Sequence, residues 1–106
     1  MLFRSCDILR EKMEIETIIK DLIEILEKEE TKNENLINSL QNCSGGKWKN
    51  KAYFQFVNSE NPNQVGSEWQ FLDNIIFEHE EFGTIIVDLL KDNRIGGFEF
   101  YELIGY

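Results

Sequence analysis

The sequence predicts an α+β fold, with an N-terminal helix pair packed on one face of a four-stranded, mainly antiparallel sheet arranged as a meander. Three observations carry this. Apolar residues between positions 15 and 26 recur at spacings of three and four, the period of a helix with one buried stripe. Residues 74–103 alternate at period two and are interrupted by two reversal signals, as strands joined by tight turns should be. Finally, 106 residues that are 42% hydrophobic and 12% aromatic suffice for one domain with a core of its own. The expected organisation is a single domain over residues 1–106, helical over 13–43 and sheet over 51–106. Met13 is as good a natural start as Met1, which would make residues 1–12 an extension.

The first helix is read over residues 13–30, with Ile15, Ile18, Ile19, Leu22, Ile25 and Leu26 on its core side. Glu16, Lys20, Glu24, Glu27 and Lys28 form the solvated side. The run Thr31-Lys32-Asn33-Glu34 has capping-box spacing, so Thr31 is expected to cap a second short helix through Leu36, Ile37 and Leu40. Ser44-Gly45-Gly46 ends it.

Residues 51–57 are aromatic and partly alternating, and read as a strand with Ala52, Phe54 and Phe56 on the core side. Residues 58–67 hold the only proline and read as a loop. Trp69 and Phe71 share parity with Ile75 only if Asp73 faces the core, so a bend or bulge is expected at Asp73-Asn74.

The remaining strands follow from their turns. A glycine ending the loop Glu81-Phe82-Gly83 suits the left-handed position of a three-residue hairpin, which pairs Glu80 with Thr84, His79 with Ile85, Phe77 with Val87 and Ile75 with Leu89. A two-residue loop at Asp92-Asn93 pairs Leu89 with Gly96, Val87 with Phe98 and Ile85 with Phe100. Both turns give one apolar face of Ile75, Phe77, His79, Ile85, Val87, Leu89, Phe98 and Phe100. The other face carries Ile76, Glu78, Glu80, Thr84, Ile86, Asp88, Leu90, Ile95, Glu99 and Tyr101.

A formal charge of −9 repels nucleic acid and anionic membrane surfaces and favours basic or neutral partners. The Lys47-Trp48-Lys49-Asn50-Lys51 run does not outweigh that field and reads as edge protection. Cys6 and Cys43 form no CxxC pattern, so reduced thiols are expected rather than a disulfide or a zinc site. No signal peptide or membrane-length apolar run is present in the sequence, which gives a cytoplasmic expectation.

His79 sits between Glu78 and Glu80, but neighbours on a strand point to opposite faces, so the triplet cannot chelate a metal. In the derived register Glu78 and Glu99 flank Ile86 about 10 Å apart, room for a water between two carboxylates. An open sheet face offers no burial to tune a catalytic acid, however, so neither a catalytic residue nor a cofactor is expected. The face reads instead as a partner-binding surface built on Glu78, Glu80, Ile86, Asp88, Glu99 and Tyr101, since apolar groups within a charged rim suit a protein interface. Repulsion between such carboxylates in a homodimer favours a monomer.

The run E-E-F-G-T-I-I-V-D-L-L-K-D-N-R-I-G-G-F-E-F, in a short acidic α+β chain, resembles the small immunity proteins that bacteria pair with secreted or contact-dependent growth-inhibition toxins. The resemblance covers about the last half of the sequence. It implies a cytosolic inhibitor that covers the basic active site of a cognate toxin, such as a nuclease. An intracellular adaptor or subunit for another partner, a DNA mimic, and a small enzyme using the paired carboxylates are the alternatives.

Overall fold

The computed structural model describes residues 14–104. The expectations for Cys6 and for an extension over residues 1–12 lie outside that range. Helix α1 spans Ile15–Glu27 and α2 spans Glu34–Gln41. The strands are β1 (Lys47–Trp48), β2 (Tyr53–Gln55), β3 (Phe71–His79), β4 (Gly83–Leu90) and β5 (Ile95–Phe100), followed by a 3-10 turn at Tyr101–Leu103. All five strands join one antiparallel sheet in the order β1-β2-β5-β4-β3.

Two points correct the expected four-stranded meander. Lys47 and Trp48 pair with Gln55 and Phe54 as a fifth strand. The chain then runs from β2, beside β5, to the far edge at β3 before the β3-β4-β5 meander begins.

Helix α1 buries Ile18, Leu22 and Leu26, and α2 buries Leu36, Ile37, Ser39 and Leu40. The cap of α2 is Asn33, whose side chain accepts the Leu36 N–H at 3.1 Å, and not Thr31. Asparagine is among the best residues there because its short side-chain oxygen reaches a free first-turn amide. Both helices join one core with Phe54, Phe77, Ile85, Val87, Phe98 and Phe100, so they cover the apolar sheet face that the turns specify. The Ser39 hydroxyl donates to the Asn93 carbonyl and ties α2 to the β4–β5 turn.

The second hairpin keeps Val87 opposite Phe98 and Ile85 opposite Phe100, with Asn93 at φ 71° in its turn. An extra residue on β5 then shifts the pairing, setting Leu89 opposite Ile95 instead of Gly96. The loop of the first hairpin keeps three residues but starts one residue earlier than expected, which shifts the pairing by two. His79 faces Gly83, Phe77 faces Ile85 and Ile75 faces Val87. A shift of two leaves every side chain on its expected face, because alternation has period two.

Gly83 does take the left-handed conformation, at φ 76°, while Glu80, Glu81 and Phe82 make the loop. The irregularity in β3 falls between Phe71 and Asp73. Asp73 therefore lies opposite Leu89 on the helix side, exposed at the sheet edge, and its Oδ1 accepts the Asn74 N–H at 2.9 Å.

Candidate functional site

With the helices on one face, the outer face of β3, β4 and β5 is where Glu78, Ile86, Asp88 and Glu99 of the expected partner-binding residues fall, while Glu80 lies in the β3–β4 loop and Tyr101 in the 3-10 turn after β5. Its rows follow from the pairing: Ile76, Ile86 and Glu99 form one, and Asn74, Asp88 and Gly97 the next. Glu78 stands opposite Thr84, whose hydroxyl donates to its carboxylate at 2.9 Å.

Glu78 and Glu99 therefore belong to different rows. They do not flank Ile86 as expected; Ile76 takes that place beside Ile86. The two-residue difference in the first hairpin is the reason, and the water-bridged pair of carboxylates is not formed.

Ile95 leaves the expected face, and Leu90 leaves the open surface. Ile95 is only 3% exposed and joins the main core, because the extra residue on β5 reverses its side. Leu90 keeps its side but is fully covered, at 0%, by a second apolar cluster with Val57 and Trp69, against which Tyr53, Phe56 and Phe71 pack. Trp69 fits there because Gly96 has no side chain, since a Cβ on Gly96 would stand 2.5 Å from the indole. One end of the outer face is thus closed.

Asp88 is half-buried and internally bonded. Tyr53 Oη donates to its Oδ2 at 2.8 Å and Asn74 Nδ2 to its Oδ1 at 2.6 Å, so the carboxylate bridges β2, β4 and β3. Gly97 makes the reach possible, since a Cβ there would press into the Tyr53 ring, 2.5 Å from Cζ. Burial raises the Asp88 carboxyl above its ordinary value, and the two donors oppose that shift. The Tyr53 phenol is pushed up by burial first and by the neighbouring Asp88 and Glu99 charges next. Asp88 is held as part of the sheet, whereas an exposed rim carboxylate had been expected.

What remains open is apolar with an acidic border. Ile76 is 64% and Tyr101 58% exposed, and Ile86 is half-buried between Ile76 and Glu99. Glu78, Glu80, Glu81 and Glu102 are exposed and Glu99 is half-buried. Ion pairs among the described residues join His79 to Asp21 and Arg94 to Glu68 and Asp92, and none involves these five glutamates. From residue 52 to residue 90 the chain carries seven carboxylates and no lysine or arginine, so no cation from that stretch neutralises the surface.

His79 serves the fold. Its side chain is buried, Nε2 lies 2.7 Å from Asp21 Oδ2 on α1, and Nδ1 accepts the N–H groups of Glu81 and Phe82, each at 3.1 Å. Since Nδ1 accepts, the ring proton on Nε2 is the one donated to Asp21. The imidazole also stacks on Phe82, with ring centres 5.1 Å apart.

A separate cleft of about 380 Å³ runs between α2 and the β4–β5 turn, lined by residues that include Asn35, Asn38, Asn42, Cys43, Asn93 and Arg94. Burial pushes the Cys43 thiol up to about 12, which makes it a poor nucleophile. Among the described residues no cluster of three or more His, Cys, Asp or Glu could hold a metal ion, and no helix is long and apolar enough to cross a membrane.

No protein-family model, curated protein or solved structure matches the chain.

Proposed function

We propose that this chain is a binding protein that docks a basic protein on the open face of its sheet, acting as the immunity partner of a toxin. The observation that supports it is the composition of that face: exposed Ile76 beside Ile86, with exposed Tyr101 in the turn after β5, and glutamates that no lysine or arginine pairs. An exposed apolar centre with a charged rim is suited to a protein partner, and the sign of the rim selects a basic one. A toxin that handles phosphates must present positive charge, so this face would compete for its active site and gain speed from electrostatic steering. The toxin assignment rests on the resemblance of residues 80–100 to immunity proteins. The acidic face alone supports the basic partner.

The partner-binding set becomes Glu78, Glu80 and Glu99 with Ile76, Ile86 and Tyr101, Asp88 being committed inside the sheet. The test compares the native protein with the triple variant Glu78→Lys, Glu80→Lys, Glu99→Lys as bait in lysate of the native host. A basic protein retained by the first, released by salt and weakened more than about tenfold by the second supports the reading, tenfold being about 1.4 kcal/mol. A partner held equally by both removes this face from the reaction. Co-expression then separates the two parts of the proposal, since an immunity protein restores growth to cells making the partner and an adaptor does not.

A further inference from the structure

The two edges of the sheet are unlike. β1 offers two residues, with lysines at 47 and 49, a short and charged edge of the kind that resists further pairing. β3 offers nine residues, Phe71–His79, without a lysine or a proline, and among the described residues no strand lies on its far side.

The Asn74 N–H turns away from β4 to the Asp73 carboxylate, which sets the parity of the backbone beyond it. The groups of Ile75, Phe77 and His79 point to β4, while those of Asn74, Ile76 and Glu78 point outward. The Phe71 end of the edge is protected, by the irregularity before Asp73 and by the Asp73 bond. The Ile76 end carries neither device. There an outward N–H and C=O sit under a side chain that is itself exposed.

From this geometry we infer that β3 pairs antiparallel with β3 of a second copy of the chain, about a two-fold axis through Ile76. The register singles itself out. With Ile76 opposite Ile76, Glu78 meets Asn74 of the other copy on the outer side, and Ile75 meets Phe77 on the helix side. Asp73 meets His79 and Glu80 meets Leu72, so no carboxylate faces another. Moving the axis to Ile75 sets Phe77 against Asp73, and moving it to Phe77 sets Glu78 against Ile76 and Asp73 against Glu81. Opposed like charges are destabilising across a strand pair, and matched apolar residues are favourable.

The expectation of a monomer came from carboxylates meeting face to face. Edge pairing never brings them together, and it leaves the outer faces side by side in one continuous sheet. The inference is independent of the proposed toxin partner.

Sedimentation and cross-linking of the full chain test it. The mass should rise with concentration from 12.5 kDa toward twice that value, and Ile76→Lys should hold it at one chain. Because Ile76 is exposed, that variant should keep the native circular dichroism. In a Cys6→Ser background, Ile76→Cys should oxidise to a covalent dimer, since hydrogen-bonded antiparallel partners stand about 5.5 Å apart at Cα, within disulfide reach. A mixture of Asn74→Cys and Glu78→Cys chains should give the mixed dimer, and Asn74→Cys alone should not. A mass of one chain up to about 1 mM, the weak limit of specific pairing, overturns the inference. So does a dimer in which Ile76→Cys fails to link, or one in which Asn74→Cys links to itself as readily as Ile76→Cys.

Discussion

Replacing Tyr53 with phenylalanine should cost this protein about 1–2 kcal/mol at neutral pH, with most of that loss disappearing in acid. The hydroxyl is one of two donors to a half-buried carboxylate, at 2.8 Å from Asp88 Oδ2, the other being Asn74 Nδ2. A hydrogen bond to a charged group contributes about 1.5–3 kcal/mol, and the partial exposure of Asp88 lowers that because water can replace part of the lost donor. Packing is retained, since phenylalanine keeps the ring over Gly97.

The pH dependence follows from Asp88. Burial raises its folded pKa above the unfolded value, so its contribution to stability is fully present below the unfolded pKa and is lost as pH rises through the folded one. Tyr53→Phe removes a donor from the ionised form alone and raises the folded value further. Its penalty should therefore be largest at neutral pH and shrink as pH falls through the folded pKa of Asp88. Urea denaturation of both proteins at neutral pH and at several acid values measures this directly, with the midpoint shift at constant slope giving the difference. In the Asp88→Asn background, where no charge needs the hydroxyl, the same change should cost markedly less. A loss below about 0.5 kcal/mol at neutral pH, or a loss independent of pH and of Asp88, would refute the bridge as a charged hydrogen bond.

Gly97→Ala should destabilise by about 1–3 kcal/mol or more, because its methyl would lie 2.7 Å from the Phe54 carbonyl oxygen as well as against the Tyr53 ring, and strand backbone cannot yield as a flexible side chain can. Thermal unfolding gives the value, and a variant as stable as the parent would contradict the close approach. Asn33→Ala should cost about 1 kcal/mol by removing the α2 cap, while Thr31→Ala should stay within about 0.5 kcal/mol. Equal effects would restore Thr31 as the cap. The Cys43 thiol, with its pKa raised to about 12 by burial, should react with maleimide far more slowly in the folded protein than in urea, as mass spectrometry of each cysteine would show.

The apolar sheet face was legible because it depends only on parity. The first hairpin could be read two residues out of register and still assign Phe77, Ile85 and Val87 correctly, since an even error changes no side chain's direction. The same error mattered for the site, where the neighbour of Ile86 depends on absolute register. Ile95 was lost to an extra β5 residue that no single sequence signal marks. Leu90 was lost for a tertiary reason: Trp69 comes back over it from a loop-following segment, and only the small residues at 96 and 97 hinted that something large approaches there. β1 is not legible because two residues are too few for a period, and its lysines read as edge protection for the strand that follows. Thr31 and Asn33 are both good caps, and the choice between them was made by where α1 releases the chain, near Lys28.

The imidazole beneath the first hairpin has a further consequence. By taking both amides of the loop on one nitrogen while its other nitrogen holds α1, His79 anchors the tip from inside the molecule. Glu80 and Glu81 consequently project from a held backbone, so the loop itself has little conformational freedom to lose in an encounter.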